Sequence, residues 1–263
     1  MPKTASSCLA LGRYRELLGS VSTTLRGDTA SYDTEAMLIE AICDDDSADR
    51  IILSNDNFLC RDKVVIGAEG LYPKAAKSSW LRHCFPSHDV SFALGLRNPA
   101  TLVPSLLRSL SDEDRAESLA LLDLDQLSWA DVVAEIIEAN PDANLLIWAH
   151  EDTPFIWSEI IREITAHDPY LTLDGAYDMM GQILSPDGFA RLLTFLADHP
   201  DITETRRRKT LSAFLGTHAM VDEIEEEIDL PGWTLDTITD LTAAYDDDIE
   251  RIRAMPRVTL VEP

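Results

Sequence analysis

Arg97 is the residue whose type and setting point most directly to chemistry in this chain. It follows the apolar run 89–96 and opens the segment Arg97–Ser105, in which a helix is predicted to begin near Ala100. Ligands of open α/β sheets bind at the carboxyl ends of strands, and a guanidinium group presents a planar set of donors that suits a phosphate. Ser105 lies about two helical turns beyond Arg97 and can share a helix face with it. The spacing predicts a phosphate site, and the alternative is an arginine that only caps the sheet edge.

Asp56 is the second candidate, because it lies in a polar segment at the end of the predicted strand 50–54. A carboxylate at the carboxyl end of a strand can take a proton from a bound hydroxyl or amine and so act as a general base. The alternative is a polar turn, because Asn and Asp favour turns for reasons of local hydrogen bonding.

These two segments, together with the N-terminus, resemble sulfotransferases that use 3′-phosphoadenosine 5′-phosphosulfate (PAPS). The match includes the Arg-Asn-Pro strand end with a serine eight positions later, and Ser54–Phe58 is similar to a Ser-Ser-Glu-Asn-Phe segment of bacterial sulfotransferase-like proteins. The segment Pro2–Ser7 looks like the family loop Pro-Lys-Thr-Gly-Thr-Thr. Further along, Leu146–Asp152 and the tail 241–263, with Tyr245-Asp246, resemble later family segments.

The resemblance implies a P-loop nucleotide-binding, sulfotransferase-like fold and PAPS as co-substrate, with no metal. Arg97 and Ser105 would bind the 3′-phosphate of the donor. The loop residues would hold its 5′-phosphosulfate, and they are Lys3, Thr4, Ser6 and Ser7. Lys3 would also stabilise the leaving phosphate, and Asp56 would be the catalytic base, with His150 as the next candidate.

The N-terminal segment departs from the family pattern in two ways. Nothing precedes Met1 to form the strand that the family loop follows, and Ala5 replaces the loop glycine, whose freedom at positive φ a phosphate cradle uses. In addition, Gly12–Arg15 is not expected to continue as a long amphipathic helix. We therefore expect either an N-terminally truncated chain or a degenerate site, and a non-catalytic binding or scaffold protein is the alternative function. A P-loop kinase or nucleotidase ranks third, because the chain contains no GxxxxGK[ST] sequence.

The pattern of elements predicts an α/β fold with a parallel sheet flanked by helices and a helix-rich C-terminal half. Nearly unbroken apolar runs predict strands, covered on both faces, at 50–54, 89–96 and 144–149, and a weaker run predicts another at 257–261. Helical periodicity lies between and after them, at 35–43, 74–84, 128–139, 154–166, 186–198, 203–219 and 234–254. Alternation of strands with helices is typical of a parallel sheet built from crossover units. Because no linker interrupts the pattern, residues 1–263 are interpreted as one domain.

Charge and cysteine content limit the possible partners. Lys and Arg total 22 against 47 Asp and Glu, which gives a net charge of −25. Such a charge repels nucleic acid and anionic lipids. It also favours a neutral or cationic acceptor over a polyanionic glycan. The acceptor is expected to be a small molecule or a glycan, and the oligomeric state is not readable. The four cysteines show no metal-ligand spacing, and no signal peptide or membrane span is evident, which favours a cytoplasmic protein with reduced thiols.

Overall fold

The computed structural model describes residues 7–9, 14–43, 48–168, 173–224, 228 and 230–263. Seven strands lie in these residues: β1 Ser7–Leu9, β2 Arg50–Ile52, β3 Ile66–Gly67, β4 Gly70–Leu71, β5 Ser91–Leu96, β6 Asn144–Ala149 and β7 Val258–Val261. The same residues form twelve α-helices: α1 Tyr14–Leu25, α2 Tyr32–Ile42, α3 Ser78–Arg82, α4 Pro99–Ser109, α5 Asp112–Leu121, α6 Trp129–Ala139, α7 Thr153–Thr165, α8 Asp178–Ile183, α9 Pro186–Asp198, α10 Glu204–His218, α11 Val221–Ile224 and α12 Leu235–Arg253.

The main sheet is parallel and has the strand order β5–β6–β7. Helices α4 to α6 connect β5 to β6, and α7 to α12 connect β6 to β7, so both connections are helical crossovers, as parallel pairing requires. A second parallel pair joins β1 to β2, and β3 pairs with β4 in a short antiparallel hairpin. The predicted mixed α/β fold with a parallel sheet and a helix-rich C-terminal half is confirmed.

Helices α4 and α6 show how the sequence sets the boundaries that surround the sheet. Asn98 caps α4 by accepting a hydrogen bond from the Ala100 amide at 2.9 Å, and Pro99 occupies the first turn, where no amide hydrogen is needed. Ser128 caps α6 by accepting from the Asp131 amide at 3.2 Å. Both helices bury an apolar face in the largest hydrophobic cluster, together with residues of β5 and β6.

Two expectations about the first half of the chain are wrong. The segment from Tyr14 forms the amphipathic helix α1, which buries Tyr14, Leu18 and Ser22 at successive four-residue intervals. Strand β5 is not covered on both faces, because alternate residues Ser91, Ala93 and Gly95 are exposed. An alternating pattern of exposure is typical of a strand with one covered face.

Glu35 of α2 is a buried carboxylate, 3% exposed, that fixes the loop after Phe85. Its Oε1 accepts from the Ser87 amide at 2.9 Å and lies 2.8 Å from His88 Nδ1. Burial raises the pKa of Glu35, but the hydrogen bonds from His88 and Ser87 together lower it by more than burial raises it. The net shift of the pKa is therefore downward. Because the pKa is depressed in the folded state, the ionised form stabilises the fold above the ordinary glutamate pKa of about 4.3, and this stabilisation is lost as the pH falls through the lower folded value.

We expect Glu35→Gln to reduce the dependence of the unfolding free energy on pH in the range below about 4.5, because glutamine has no carboxylate to protonate. Urea denaturation at several pH values measures the slope. Glu40→Gln, at an exposed position of the same helix, is the matched control and should retain the wild-type slope. Equal slopes for wild type and Glu35→Gln would contradict the assignment.

Candidate functional site

Arg97 lies where β5 ends and α4 is about to begin. Its backbone carbonyl accepts a hydrogen bond from Trp129 Nε1 at 2.8 Å, which ties the strand end to α6. Its side chain is half-buried, and Nε donates to Thr101 Oγ1 at 3.3 Å. The guanidinium is therefore held against the first turn of α4 at the carboxyl edge of the main sheet, where ligands of parallel sheets bind.

Ser105 lies one turn beyond Thr101 on α4. Both side chains are half-exposed, whereas Val103, Leu106 and Leu107 on the opposite face are buried in the core. Residues four apart on a helix are neighbours on its surface, so Thr101 connects Arg97 to Ser105 along one face. Thr101 was missed in the sequence, although its four-residue spacing from both predicted residues is the signal that identifies it.

The asparagine of the Arg-Asn-Pro segment has a structural role. Besides capping α4, Asn98 donates through Nδ2 to Thr242 Oγ1 of α12 at 3.0 Å, and its amide donates to Glu151 Oε1 at 2.8 Å. Tyr245 Oη lies 3.1 Å from Glu151 Oε2 and 2.9 Å from the Leu96 carbonyl oxygen. Burial and the neighbouring Glu151 raise the pKa of Tyr245, which keeps its hydroxyl protonated. This network joins the ends of β5 and β6 to α12.

The end of β6 carries the remaining predicted candidate base. His150 is exposed and opens a short 3₁₀ turn that leads into α7. In the same turn, burial raises the pKa of Asp152, and Glu151 and Glu262 raise it further. Glu151 is hydrogen-bonded to Asn98 and Tyr245. At this strand end Glu151 therefore stabilises the start of the helix.

Asp56 is exposed in a turn just beyond β2. Asn55 organises this turn, since its Oδ1 accepts from the Asn57 amide at 3.0 Å. The preceding residue, Ser54, donates its amide to Tyr14 Oη at 2.9 Å, and its carbonyl accepts a hydrogen bond from the same hydroxyl, which fixes α1 beside the end of β2. The polar turn that was the alternative interpretation of this segment is thus present, and the Asp56 carboxylate extends from it.

An open cleft of about 630 Å³ lies beside Asp56. Its walls are the first turn of α1, the turn 55–57, residues 61–63 at the start of the 3₁₀ turn Asp62–Val64, and the junction between α4 and α5. Neither Arg97 nor Ser105 lines it, but Ser109, one turn beyond Ser105 on α4, does. Helix α4 therefore extends from one predicted site to the other, and the two sites do not share one pocket.

Three of the predicted loop residues, Lys3, Thr4 and Ser6, lie outside the described residues. Ser7 lies within them and opens β1, where its backbone pairs with that of Arg50 at the amino end of β2. This position differs from that of a loop at the carboxyl end of a strand.

Neither a family model, nor a curated protein, nor a solved structure matches this chain. Among the helices of the described ranges, none is both long enough and apolar enough to cross a membrane. In the same ranges, no three His, Cys, Asp or Glu side chains cluster as ligands for a metal ion.

Proposed function

We propose that the protein is a PAPS-dependent sulfotransferase with a P-loop, sulfotransferase-like arrangement, which transfers a sulfuryl group to a hydroxyl or amine of a small-molecule or glycan acceptor. The observation that carries the proposal is the position of Arg97 at the carboxyl end of β5. Its Nε lies 3.3 Å from Thr101 Oγ1, on a helix face that continues to Ser105. This face offers the guanidinium of Arg97 and the hydroxyl of Ser105 as donors to a phosphate, while the Thr101 hydroxyl donates to the Asn98 carbonyl oxygen at 3.1 Å and accepts from Arg97. The 3′-phosphate of the donor would bind there.

The 5′-phosphosulfate requires a second anion site at a strand–loop–helix connection, because amide hydrogens at a helix N-terminus attract negative charge. We assign this role to the N-terminal segment that contains Lys3, and residues 10–13, which contain Gly12 and Arg13, are the alternative in the sequence. Substitution of Lys3 and of Arg13 by alanine, each tested for donor affinity, distinguishes the two segments.

The expected result for the 3′-phosphate site is that the wild-type protein binds adenosine 3′,5′-bisphosphate and that Arg97→Ala weakens binding about tenfold or more. A charge-assisted hydrogen bond contributes roughly 1.5–3 kcal/mol, which corresponds to this factor. Isothermal titration calorimetry measures the affinity. The exposed Arg191 of α9 supplies the control, since Arg191→Ala should bind the nucleotide as the wild type does.

A wild-type protein that does not bind the bisphosphate would favour the second candidate, a non-catalytic binding or scaffold protein. The observation that favours this candidate is that Ser7 lies in β1 instead of in a loop after a strand. In either case we propose a cytoplasmic location, which is supported by the thiols of Cys60 and Cys84, since neither forms a disulfide. The net charge of −25 supports partners other than nucleic acid and membranes.

A further inference from the structure

Most of the described residues that line the cleft beside Asp56 are polar or charged, although the carbon atoms of their side chains contribute more than half of its exposed surface. Of the twelve described residues that line it, only Leu110 has an apolar side chain. Its volume of about 630 Å³ is within the usual range for small-molecule sites, but such sites are ordinarily lined mainly by apolar and aromatic groups. A flat aromatic or steroid-like ligand would remove water from these charged groups without replacing their hydrogen bonds.

Hydrogen-bonding groups of both kinds remain available in these walls. Within the described part of the chain, the carboxylates of Asp56 and Asp62 and the guanidinium groups of Arg15 and Arg61 form no side-chain hydrogen bond or ion pair. Carboxylates only accept hydrogen bonds and guanidinium groups only donate them. An ammonium ligand could satisfy only the carboxylates, and a sulfate or phosphate only the arginines. A hydroxyl both donates and accepts, so a ligand with several hydroxyls can satisfy the whole set.

The other charged groups of the cleft are largely balanced. Lys63 and Asp114 form an ion pair at 3.4 Å, and Ser111, which caps α5, donates to Asp114 Oδ2 at 2.9 Å. Of the described residues that line the cleft, three are basic and four are acidic, so their charges nearly balance. A neutral ligand therefore meets no strong local field, whereas the net charge of −25 of the whole chain repels a polyanionic one.

We infer that this cleft binds a neutral, polyhydroxylated ligand of the oligosaccharide type. Taken with the proposed function, on which this further step rests, the ligand is the sulfuryl acceptor and one of its hydroxyls lies at Asp56. In the transfer, the acceptor oxygen forms a bond to the sulfur of PAPS, the bond from sulfur to the bridging phosphate oxygen breaks, and Asp56 takes the hydroxyl proton. The products are a sulfate ester and adenosine 3′,5′-bisphosphate.

The test begins with binding in the absence of donor. Maltose, cellobiose and lactose serve as neutral polyhydroxylated probes, and 2-naphthol and cadaverine serve as the apolar and the cationic alternatives. Saturation-transfer NMR on the full chain should show binding of at least one disaccharide and not of 2-naphthol or cadaverine. Asp62→Asn should weaken the disaccharide affinity about tenfold, because it replaces a charged acceptor by a neutral one. Asp201→Asn, an exposed position between α9 and α10 that does not line the cleft, is the matched control and should bind as the wild type does.

The outcomes separate this inference from the proposed function. If a disaccharide binds and Asp62→Asn weakens it while adenosine 3′,5′-bisphosphate does not bind, the cleft assignment stands and the sulfotransferase proposal fails. If the bisphosphate binds but only 2-naphthol or cadaverine occupies the protein, the acceptor class is overturned and the donor site remains. Disaccharide binding that is equally strong in wild type and Asp62→Asn, or absence of binding by all three disaccharides, also overturns the inference.

Discussion

Replacing Asp248 with alanine should lower the free energy of unfolding by about 3 kcal/mol. Asp248 of α12 is only 5% exposed, and its carboxylate lies at the N-terminus of α6. It accepts hydrogen bonds from the Ala130 amide at 3.2 Å, from Ser128 Oγ at 3.2 Å and from Arg251 at 2.8 Å. Alanine would leave a buried amide without a partner, at about 1–3 kcal/mol, and would remove a charge that complements the helix dipole.

Urea denaturation measures the effect, and the slope with denaturant should stay unchanged because the folded and unfolded surfaces are nearly the same. The adjacent Asp247 is exposed, and Asp247→Ala should change stability by no more than about 0.5 kcal/mol. Equal losses in the two variants would show that the Asp248 contacts do not stabilise α6. Asp248→Asn separates the contributions further, since an amide keeps an acceptor for Ala130 but loses the charge.

The strands of the main sheet and several of the helices that connect them could be predicted because their signals are local. The run 144–149 is apolar after Asn144 and coincides with β6. The predicted helix 128–139 differs from α6 only in that Ser128 is its cap. The C-terminal helices α9, α10 and α12 also follow the predicted ranges within about one residue at each end. In each case the periodicity of apolar residues and a capping residue lie within the same short segment.

Elements that depend on distant partners could not be predicted in this way. The buried face of helix α1 includes Tyr14 and Ser22, whose side chains carry hydroxyl groups, so it is not a purely apolar stripe. The Tyr14 hydroxyl is hydrogen-bonded to the backbone of Ser54, forty residues away. Strand β5 looks continuously apolar in sequence, yet Ala93 and Gly95 are exposed. Small residues give no clear signal of the face on which they lie, because they occur in both settings.

The residues of the candidate site also divide into those that the local sequence predicts and those that only the fold brings together. The position of Arg97 at a strand end follows from the apolar run before it, and Ser105 follows from helical spacing. The cleft beside Asp56 is assembled from α1, the turn at 61–63 and the junction between α4 and α5, which are separate in sequence. Its lining residues Arg15 and Arg61 have no common motif, so only the three-dimensional arrangement brings them to Asp56.

The largest kinetic effect is expected for Asp56→Asn, which should lower the rate of sulfuryl transfer by roughly 10²–10⁴-fold, the range for loss of a positioned general base. Asparagine preserves the size and the exposed position of the side chain in the turn, but it cannot take a proton from the acceptor. Transfer from radiolabelled PAPS to the acceptor, followed under saturating donor, measures the rate.

Donor affinity should be nearly unchanged in the same variant, because the cleft that contains Asp56 is not lined by Arg97 or Ser105. Arg97→Ala should show the opposite pattern, a loss of affinity for adenosine 3′,5′-bisphosphate. A catalytic base lowers the transfer rate when it is replaced, and a phosphate-binding residue lowers the donor affinity, so the two roles are distinguished by which of these quantities falls. If Asp56→Asn transferred sulfuryl groups at the wild-type rate, the proton acceptor would lie elsewhere, and His150, exposed at the end of β6, is the next side chain to replace.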